Sequence, residues 1–242
     1  MSDFLLIHGS CHGAWCWDDL IPHLNGLGHK ARAIDLPSHG QDRTPASEVT
    51  LDLYAEAIIA AIDTPVILVG HSMAGYPITA AANLAPDKIS ALVYLCAYAP
   101  MPGKSLAQMR RMAPTQPLLD AIIVDDQRVT FSVDPTKAAE KFYHDVPPEK
   151  AAWAISQLGP QPILPQETPL TPTHGLPCHY IRCTEDRTIP PEFQVTMTTD
   201  WPANNVTEMP TSHSPFLSAP AQLAQHLHRI AGQAKPTSVS DV

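Results

Sequence analysis

One serine stands where a buried strand would turn into a helix. Gly70-His71-Ser72-Met73-Ala74-Gly75 follows the apolar run Pro65-Val66-Ile67-Leu68-Val69 and precedes the small-residue stretch Pro77-Ile78-Thr79-Ala80-Ala81-Ala82. Small groups at 70, 74 and 75 let backbone and helix approach closely, and a sharp turn of this kind lifts the serine oxygen clear of a sheet. Supplied with a base, such a serine attacks carbonyl carbon. The pattern is usually Gly-x-Ser-x-Gly; here Ala74 holds its last position and a glycine follows one step later.

A serine nucleophile needs a base and an orienting acid, arriving in the chain order serine, acid, histidine when the serine sits on a strand-to-helix turn. Of twelve histidines, His213 lies in the loop Thr211-Ser212-His213-Ser214-Pro215, after the strand candidate Asn205–Met209 and before a terminal helix. His226 and His228 fall inside that helix pattern. His174 and His179 precede the expected acid, and His71 is read as pointing away around the turn. The acid is sought in Thr184-Glu185-Asp186-Arg187, between a strand and a helix that begins near Pro190. Asp186 is the better placed, with Glu185 as its immediate rival. The other loop that could carry an acid, Ala97–Pro102, contains no carboxylate. Two backbone N–H groups must also face the developing oxyanion: that of Met73, directly after the serine, and that of Ser10, in the loop His8-Gly9-Ser10-Cys11-His12-Gly13.

The elements that must position these residues are legible as an alternation. Apolar runs at 4–7, 31–36, 65–69, 90–96 and 177–182 predict strands, and Trp17–Leu27, Leu51–Ile62, Ala74–Leu84 and Pro220–Ala231 predict helices. Leu51, Tyr54, Ala55, Ile58, Ile59 and Ile62 keep the spacing of a helix with one buried face. Alternation of this kind implies a mostly parallel sheet flanked by helices. Of the 26 prolines, 13 lie from Pro100 to Pro177, where the alternation breaks down. That division predicts one α/β core over 1–99 and 178–232, an inserted cap over 100–177, and a flexible tail over 233–242. Inside the insertion, Val129–Val133 predicts a strand, and Pro135–His144 and Pro148–Leu158 predict short helices.

Composition narrows the function. A net charge of -9 with no Lys/Arg cluster excludes a nucleic-acid partner. No apolar stretch approaches the length of a membrane span, and the chain start runs from Met1-Ser2-Asp3 straight into an apolar strand. Five scattered cysteines predict free thiols in a reducing compartment, and the cytoplasm is the expected location. His8, Cys11 and His12 offer metal-ligand chemistry, but no second His/Cys pair matches them, so no metal is expected.

Together, His8–Trp17, Gly28-His29-Lys30 leading to Asp35-Leu36, Gly70–Gly75 and Cys183–Gln194 resemble the plant-type methylesterase and hydroxynitrile lyase branch of the α/β-hydrolase superfamily. The resemblance spans most of the chain. It implies the α/β-hydrolase fold with a mostly helical cap inserted after the sixth-strand position, a small apolar pocket and no cofactor. It puts the nucleophile on Ser72, the acid on Asp186 and the base on His213, and it admits a homodimer formed through the cap. Lyases of this branch carry glutamate before the serine, threonine after the first loop's histidine and lysine after the catalytic histidine. This chain has His71, Gly9 and Ser214, all three on the esterase side.

The expectation is therefore a serine hydrolase of small carboxylic esters, with Phe131, Tyr143 and Trp153 as cap residues facing the substrate. Two other classes use the same fold: a cofactor-free lyase or oxygenase working through the His/Asp pair, and a small-ligand binding protein that retains the triad.

Overall fold

The structure, a computed structural model, describes residues 1–233. Nine strands and ten α-helices are formed by them: β1 Asp3–Ile7, α1 Leu20–Gly26, β2 Lys30–Ile34, α2 Leu51–Ala60, β3 Val66–His71, α3 Gly75–Leu84, β4 Ile89–Leu95, α4 Leu106–Met112, β5 Ile122–Val124, β6 Thr130–Val133, α5 Pro135–Phe142, α6 Pro148–Gln157, β7 Gln161–Pro162, α7 Leu164–Glu167, β8 Cys178–Cys183, α8 Pro191–Met197, β9 Val206–Met209, α9 Pro215–Ser218 and α10 Pro220–Gln233. Of the expected tail, Gln233 closes α10 and the rest lies outside the described residues.

Six strands form the core sheet in the order β2-β1-β3-β4-β8-β9, every neighbouring pair parallel. Because side chains alternate faces along a strand, the apolar runs serve two cores at once. Phe4, Leu6, Ile67 and Val69 pack on one side, and Leu5, Ile7, Val66 and Leu68 on the other. This explains why β1 and β3 read as continuous apolar runs without polar alternation. Helix α2 is capped by the Thr50 hydroxyl, which accepts from the Leu53 N–H, and Leu51, Tyr54, Ala55 and Ile58 face inward.

The helix expected over Trp17–Leu27 is shorter than its apolar pattern. A 3₁₀ turn spans Ala14–Trp17 and α1 starts only at Leu20. Pro22 is the reason: it has no N–H to give the Asp18 carbonyl, and its ring excludes that residue from the helix.

The chain leaves the core after β4 and re-enters at β8. The insertion thus follows the fourth strand of this chain, where the resemblance implies the sixth-strand position. Between β4 and β8, helices α4 to α7 are joined by a three-stranded antiparallel sheet, β5-β6-β7. The mostly helical insertion implied by the resemblance thus has a β component, of which only the Thr130–Val133 strand is foreshadowed in sequence.

Candidate active site

Strand β3 delivers Ser72 into a strained turn. Its φ is +56°, left-handed for a residue with a Cβ, a conformation that costs on the order of 1–3 kcal/mol and persists only where packing enforces it. The enforcement is visible on both sides. A Cβ on Gly75 would stand 2.1 Å from the Tyr98 carbonyl oxygen, and one on Gly70 would stand 2.9 Å from that of Ala74. The Tyr98 N–H donates to the Ser72 carbonyl at 3.0 Å, tying the turn to the loop after β4. Ala74 is fully buried, so a methyl group is accommodated where the pattern usually has glycine.

Loops at the ends of β8 and β9 bring Asp186 and His213 together. The His213 imidazole donates from Nδ1 to Asp186 Oδ2 at 2.7 Å, and both residues are buried. Asp186 is held by three further donors: the N–H groups of Thr188 and Ile189 at its Oδ1, at 2.7 and 2.9 Å, and the Gln194 amide at its Oδ2, at 2.9 Å. A carboxylate so surrounded cannot rotate, so it fixes the ring's tautomer and leaves Nε2 as the basic nitrogen. Glu185 is exposed and makes contact through its backbone carbonyl, which accepts from His144 at 2.8 Å. Ser72 and His213 line one cavity, with Ser10 and Met73 at its wall.

Ser10 is held from two directions. The His12 ring donates from Nδ1 to the Ser10 carbonyl at 2.8 Å and accepts at Nε2 from the Tyr143 hydroxyl at 2.7 Å. The Gln166 amide donates to the Ser10 hydroxyl at 2.8 Å. Tyr143 and Gln166 belong to the insertion, so the loop carrying Ser10 is set partly from above. Burial, only partly offset by the bond to Ser10, pushes the His12 pKa down to about 4, and its ring is neutral.

His71 corrects an expectation. Its ring does not turn away from the site. Nε2 donates to the His213 carbonyl at 2.8 Å, and the two imidazole centroids are 4.6 Å apart. Burial, with His213 and His12 close by, holds its pKa well below the ordinary histidine value. Its Nδ1 is buried, has no hydrogen-bond partner among the described residues and lies 2.7 Å from where a Gly9 Cβ would be. The strand, which runs one residue past Gly70, places the ring beneath the loop that carries His213.

His8, Cys11 and His12 do not form a metal set. His8 accepts from the Leu36 N–H at 3.1 Å and so joins β1 to the loop after β2. Among the described residues the one cluster of ligating atoms is His71, Cys96 and His213, and there both His71 Nε2 and Cys96 Sγ donate to the His213 carbonyl.

The three substrate-facing candidates part company. Phe131 lines the cavity. Tyr143 stands behind His12 and reaches the site through it. Trp153 is 40 % exposed, packs edge-on against Trp15 at 5.3 Å and borders a separate surface depression, a correction to its expected place over the substrate. Periodicity in α6 gives no sign of which side its tryptophan takes. Sequence reasoning missed Gln166 and Arg110, which line the cavity from the aperiodic insertion, and considered His12 only as a metal ligand. Its position two residues after Ser10 is the signal that a local ring-to-carbonyl bond could have been read from.

Fold and site together define a carboxylic ester hydrolase of the α/β type. Residues 4–226 match the alpha/beta hydrolase family, and the chain belongs to that family, in its methylesterase-like branch. It is 31% identical over 260 residues to Methylesterase 18 of Arabidopsis thaliana, covering 96% of this chain and 98% of that protein. It is likewise 31% identical over 256 residues to Esterase PIR7B of Oryza sativa subsp. japonica, covering 95% and 96%. Among solved structures, polyneuridine aldehyde esterase superposes with a TM-score of 0.83 at 28% identity, covering 96% of this chain and 99% of that one. A pyrethroid hydrolase from Sphingobium faniae JZ-2 gives 0.83 at 29%, covering 96% and 97%.

Proposed function

We propose that this chain hydrolyses small carboxylic esters in two steps through an acyl-enzyme. His213, oriented by Asp186, takes the proton of Ser72 as its oxygen attacks the ester carbonyl. The N–H groups of Ser10 and Met73 hold the oxyanion, each donor lowering the barrier by about 2.7–4 kcal/mol. His213 then protonates the departing alcohol, and water repeats the sequence on the acyl-enzyme. The observation that carries this reading is the 2.7 Å Asp186–His213 bond at a cavity also lined by the strained Ser72.

The same wall disfavours cyanohydrin chemistry. With the His71 ring in place, a side chain on Gly9 would collide with His71 Nδ1 and with Ser72 Cβ, 2.9 Å away, so the threonine that lyases of this branch carry has no room. No described helix is long and apolar enough to cross a membrane. All five cysteines are free thiols, the form a reducing compartment such as the cytoplasm maintains.

The deciding experiment is pre-steady-state hydrolysis of p-nitrophenyl acetate and butyrate. Wild type should release a burst of p-nitrophenol equal to the enzyme present, and Ser72→Ala should abolish it. A wild type inert to a panel of methyl, aryl and short-chain esters would sink the proposal; turnover surviving in Ser72→Ala but lost in His213→Ala would assign cofactor-free chemistry instead.

A further inference from the structure

The cavity wall is largely apolar, with Leu106, Leu118, Phe131, Val133 and Phe142 among its residues. One permanent positive charge interrupts it. Arg110 projects from the last turn of α4 and lines the same cavity as Ser72. Among the described residues its buried Nε has no hydrogen-bond partner, and no carboxylate stands within ion-pair distance of its guanidinium. The chain has 24 acidic residues against 15 basic ones, so a partner would be easy to supply. Every other described arginine or lysine that turns toward the protein interior finds one. Arg182 has Glu208, Lys141 has Asp120, and Lys88 has two carbonyls.

Helix geometry alone does not account for Arg110. A cation in a last turn complements the helix dipole, but the neighbouring Arg111 is exposed and already fills that role. The helix is also firmly placed. A reciprocal capping box joins Ser105 and Gln108 at 3.2 and 2.9 Å, and the Tyr76 hydroxyl donates to the Lys104 carbonyl just before it. The backbone position of Arg110 at the cavity wall is therefore fixed. Tyr98, the residue whose N–H braces the Ser72 turn, lines the cavity within electrostatic reach of Arg110, and Thr115 and Gln116 follow on the loop after α4 and line it too. An apolar chamber lined by Ser72, by a half-buried arginine without an ion-pair partner among the described residues and by Tyr98 offers donors for a planar anion, which a guanidinium grips through two parallel N–H bonds. A partly desolvated guanidinium without an anion is costly, and a ligand that brings the anion removes that cost.

We propose that the ester substrate carries a carboxylate, and that Arg110, with Tyr98 beside it, binds that carboxylate while Ser72 attacks the ester carbonyl. The inference names the substrate class of the hydrolase proposed above and rests on that reading. It also explains how a chain of net charge -9 takes an anionic substrate: the long-range field is repulsive and screened by salt, whereas the contact pair in the cavity is screened little.

The test compares matched esters. Monoethyl succinate, glutarate and adipate place the carboxylate on the acyl side, and acetoxy-alkanoates of the same lengths place it on the alcohol side; each is paired with its neutral terminal amide. Wild type should favour the carboxylate over the amide by tenfold or more in kcat/KM for at least one length in one of the two series. Arg110→Met should collapse that ratio by tenfold or more, and Arg111→Met, which removes an equal charge outside the cavity, should preserve it. A ratio at or below one throughout both series, or a preference that survives Arg110→Met, overturns the proposal. Calorimetric titration of Ser72→Ala with glutarate, alone and combined with Arg110→Met, reads anion binding without turnover. Inertness of wild type to every ester would refute the hydrolase reading, while glutarate binding that requires Arg110 would still establish the anion site; no binding in that case would refute both.

Discussion

Adding one methyl group at Gly9 is the most direct challenge to the geometry described above. A Cβ there would lie 2.7 Å from His71 Nδ1, 2.9 Å from Ser72 Cβ and 3.2 Å from His71 Cε1, where ordinary contact begins near 3.4 Å. The closest pair must separate by about 0.7 Å, and overpacking of that kind typically costs about 1–3 kcal/mol of stability. Neither neighbour yields freely. The His71 ring is tied by Nε2 to the His213 carbonyl and lies against Phe216 at 4.8 Å, while Ser72 already occupies a strained φ. Relief by either path moves a member of the proposed triad, His213 through its backbone or Ser72 directly. A misplacement of about 1 Å at reacting atoms costs on the order of a hundredfold, so Gly9→Ala should lower kcat by about ten- to a hundredfold with a smaller change in KM. The assay is steady-state p-nitrophenyl butyrate hydrolysis beside urea denaturation. Pairing it with His71→Ala, which removes the ring from the collision, should give a double variant less impaired than the two single effects multiplied. Wild-type kcat and wild-type stability in Gly9→Ala would refute the reasoning, as would strict additivity with His71→Ala.

Three further outcomes are expected. Asp186→Asn must present an amide N–H₂ to one of the donor groups that now surround the carboxylate; facing His213 Nδ1, it turns the ring to the tautomer with a protonated Nε2, and kcat should fall by about 10⁴, with wild-type-like kcat as the contrary result. Tyr143→Phe leaves His12 Nε2 without its donor and loosens the Ser10 carbonyl; kcat should fall several-fold while KM holds, and an effect confined to KM would show that Tyr143 acts by packing alone. Stability should rise with pH between 4 and 6.5: His12 has a folded pKa of about 4 against 6.5, so the unfolded chain binds more protons across that window. The His12 contribution, about 3 kcal/mol from the pKa difference, is fully present above pH 6.5 and lost as pH falls toward 4. His8 and His71, depressed in the same direction by burial, steepen the loss. Urea midpoints at pH 5 and 7.5 measure it, and a pH dependence equally steep in His12→Asn would contradict the assignment.

The core was legible because its physics is local. Strands buried on both faces must be continuously apolar, and β1, β3 and β4 are along Phe4–Ile7, Val66–Val69 and Ala91–Leu95, whereas β8 carries His179 and Arg182; helix α2 announces itself by spacing and by the Thr50 cap. Asp186 and His213 were proposed from chain order and loop placement, and the structure pairs them at 2.7 Å; the donor cage around the carboxylate also depends on Gln194, which the sequence offered only as the end of the Cys183–Gln194 resemblance, with no role attached. The insertion resisted reading because its segments are short and bounded by prolines, and its packing is set by long-range contacts. Thus α5 and α6 were visible, β5 and β7 were not, and the outward turn of Trp153 could not be told from an inward one. His71 was misplaced because neighbours in sequence were assumed to diverge at the turn; the extra strand residue before Ser72 sends its ring under the His213 loop.

The insertion is sewn to the loops that carry Asp186 and His213 and to the loop after β1. Asp145 accepts from the Ser212 N–H at 2.8 Å, the Lys141 carbonyl accepts from the Thr188 hydroxyl at 2.9 Å, and the Cys11 carbonyl accepts from the Gly159 N–H at 2.9 Å. These bonds make it a poor interchangeable part. A chimera that exchanges the segment between β4 and β8 with that of a relative would inherit a new pocket together with a mismatched seam at Ser212, Thr188 and Cys11. Divergence of specificity in such a lineage is then expected to proceed by single replacements facing the chamber, as at Arg110, sooner than by trading whole roofs.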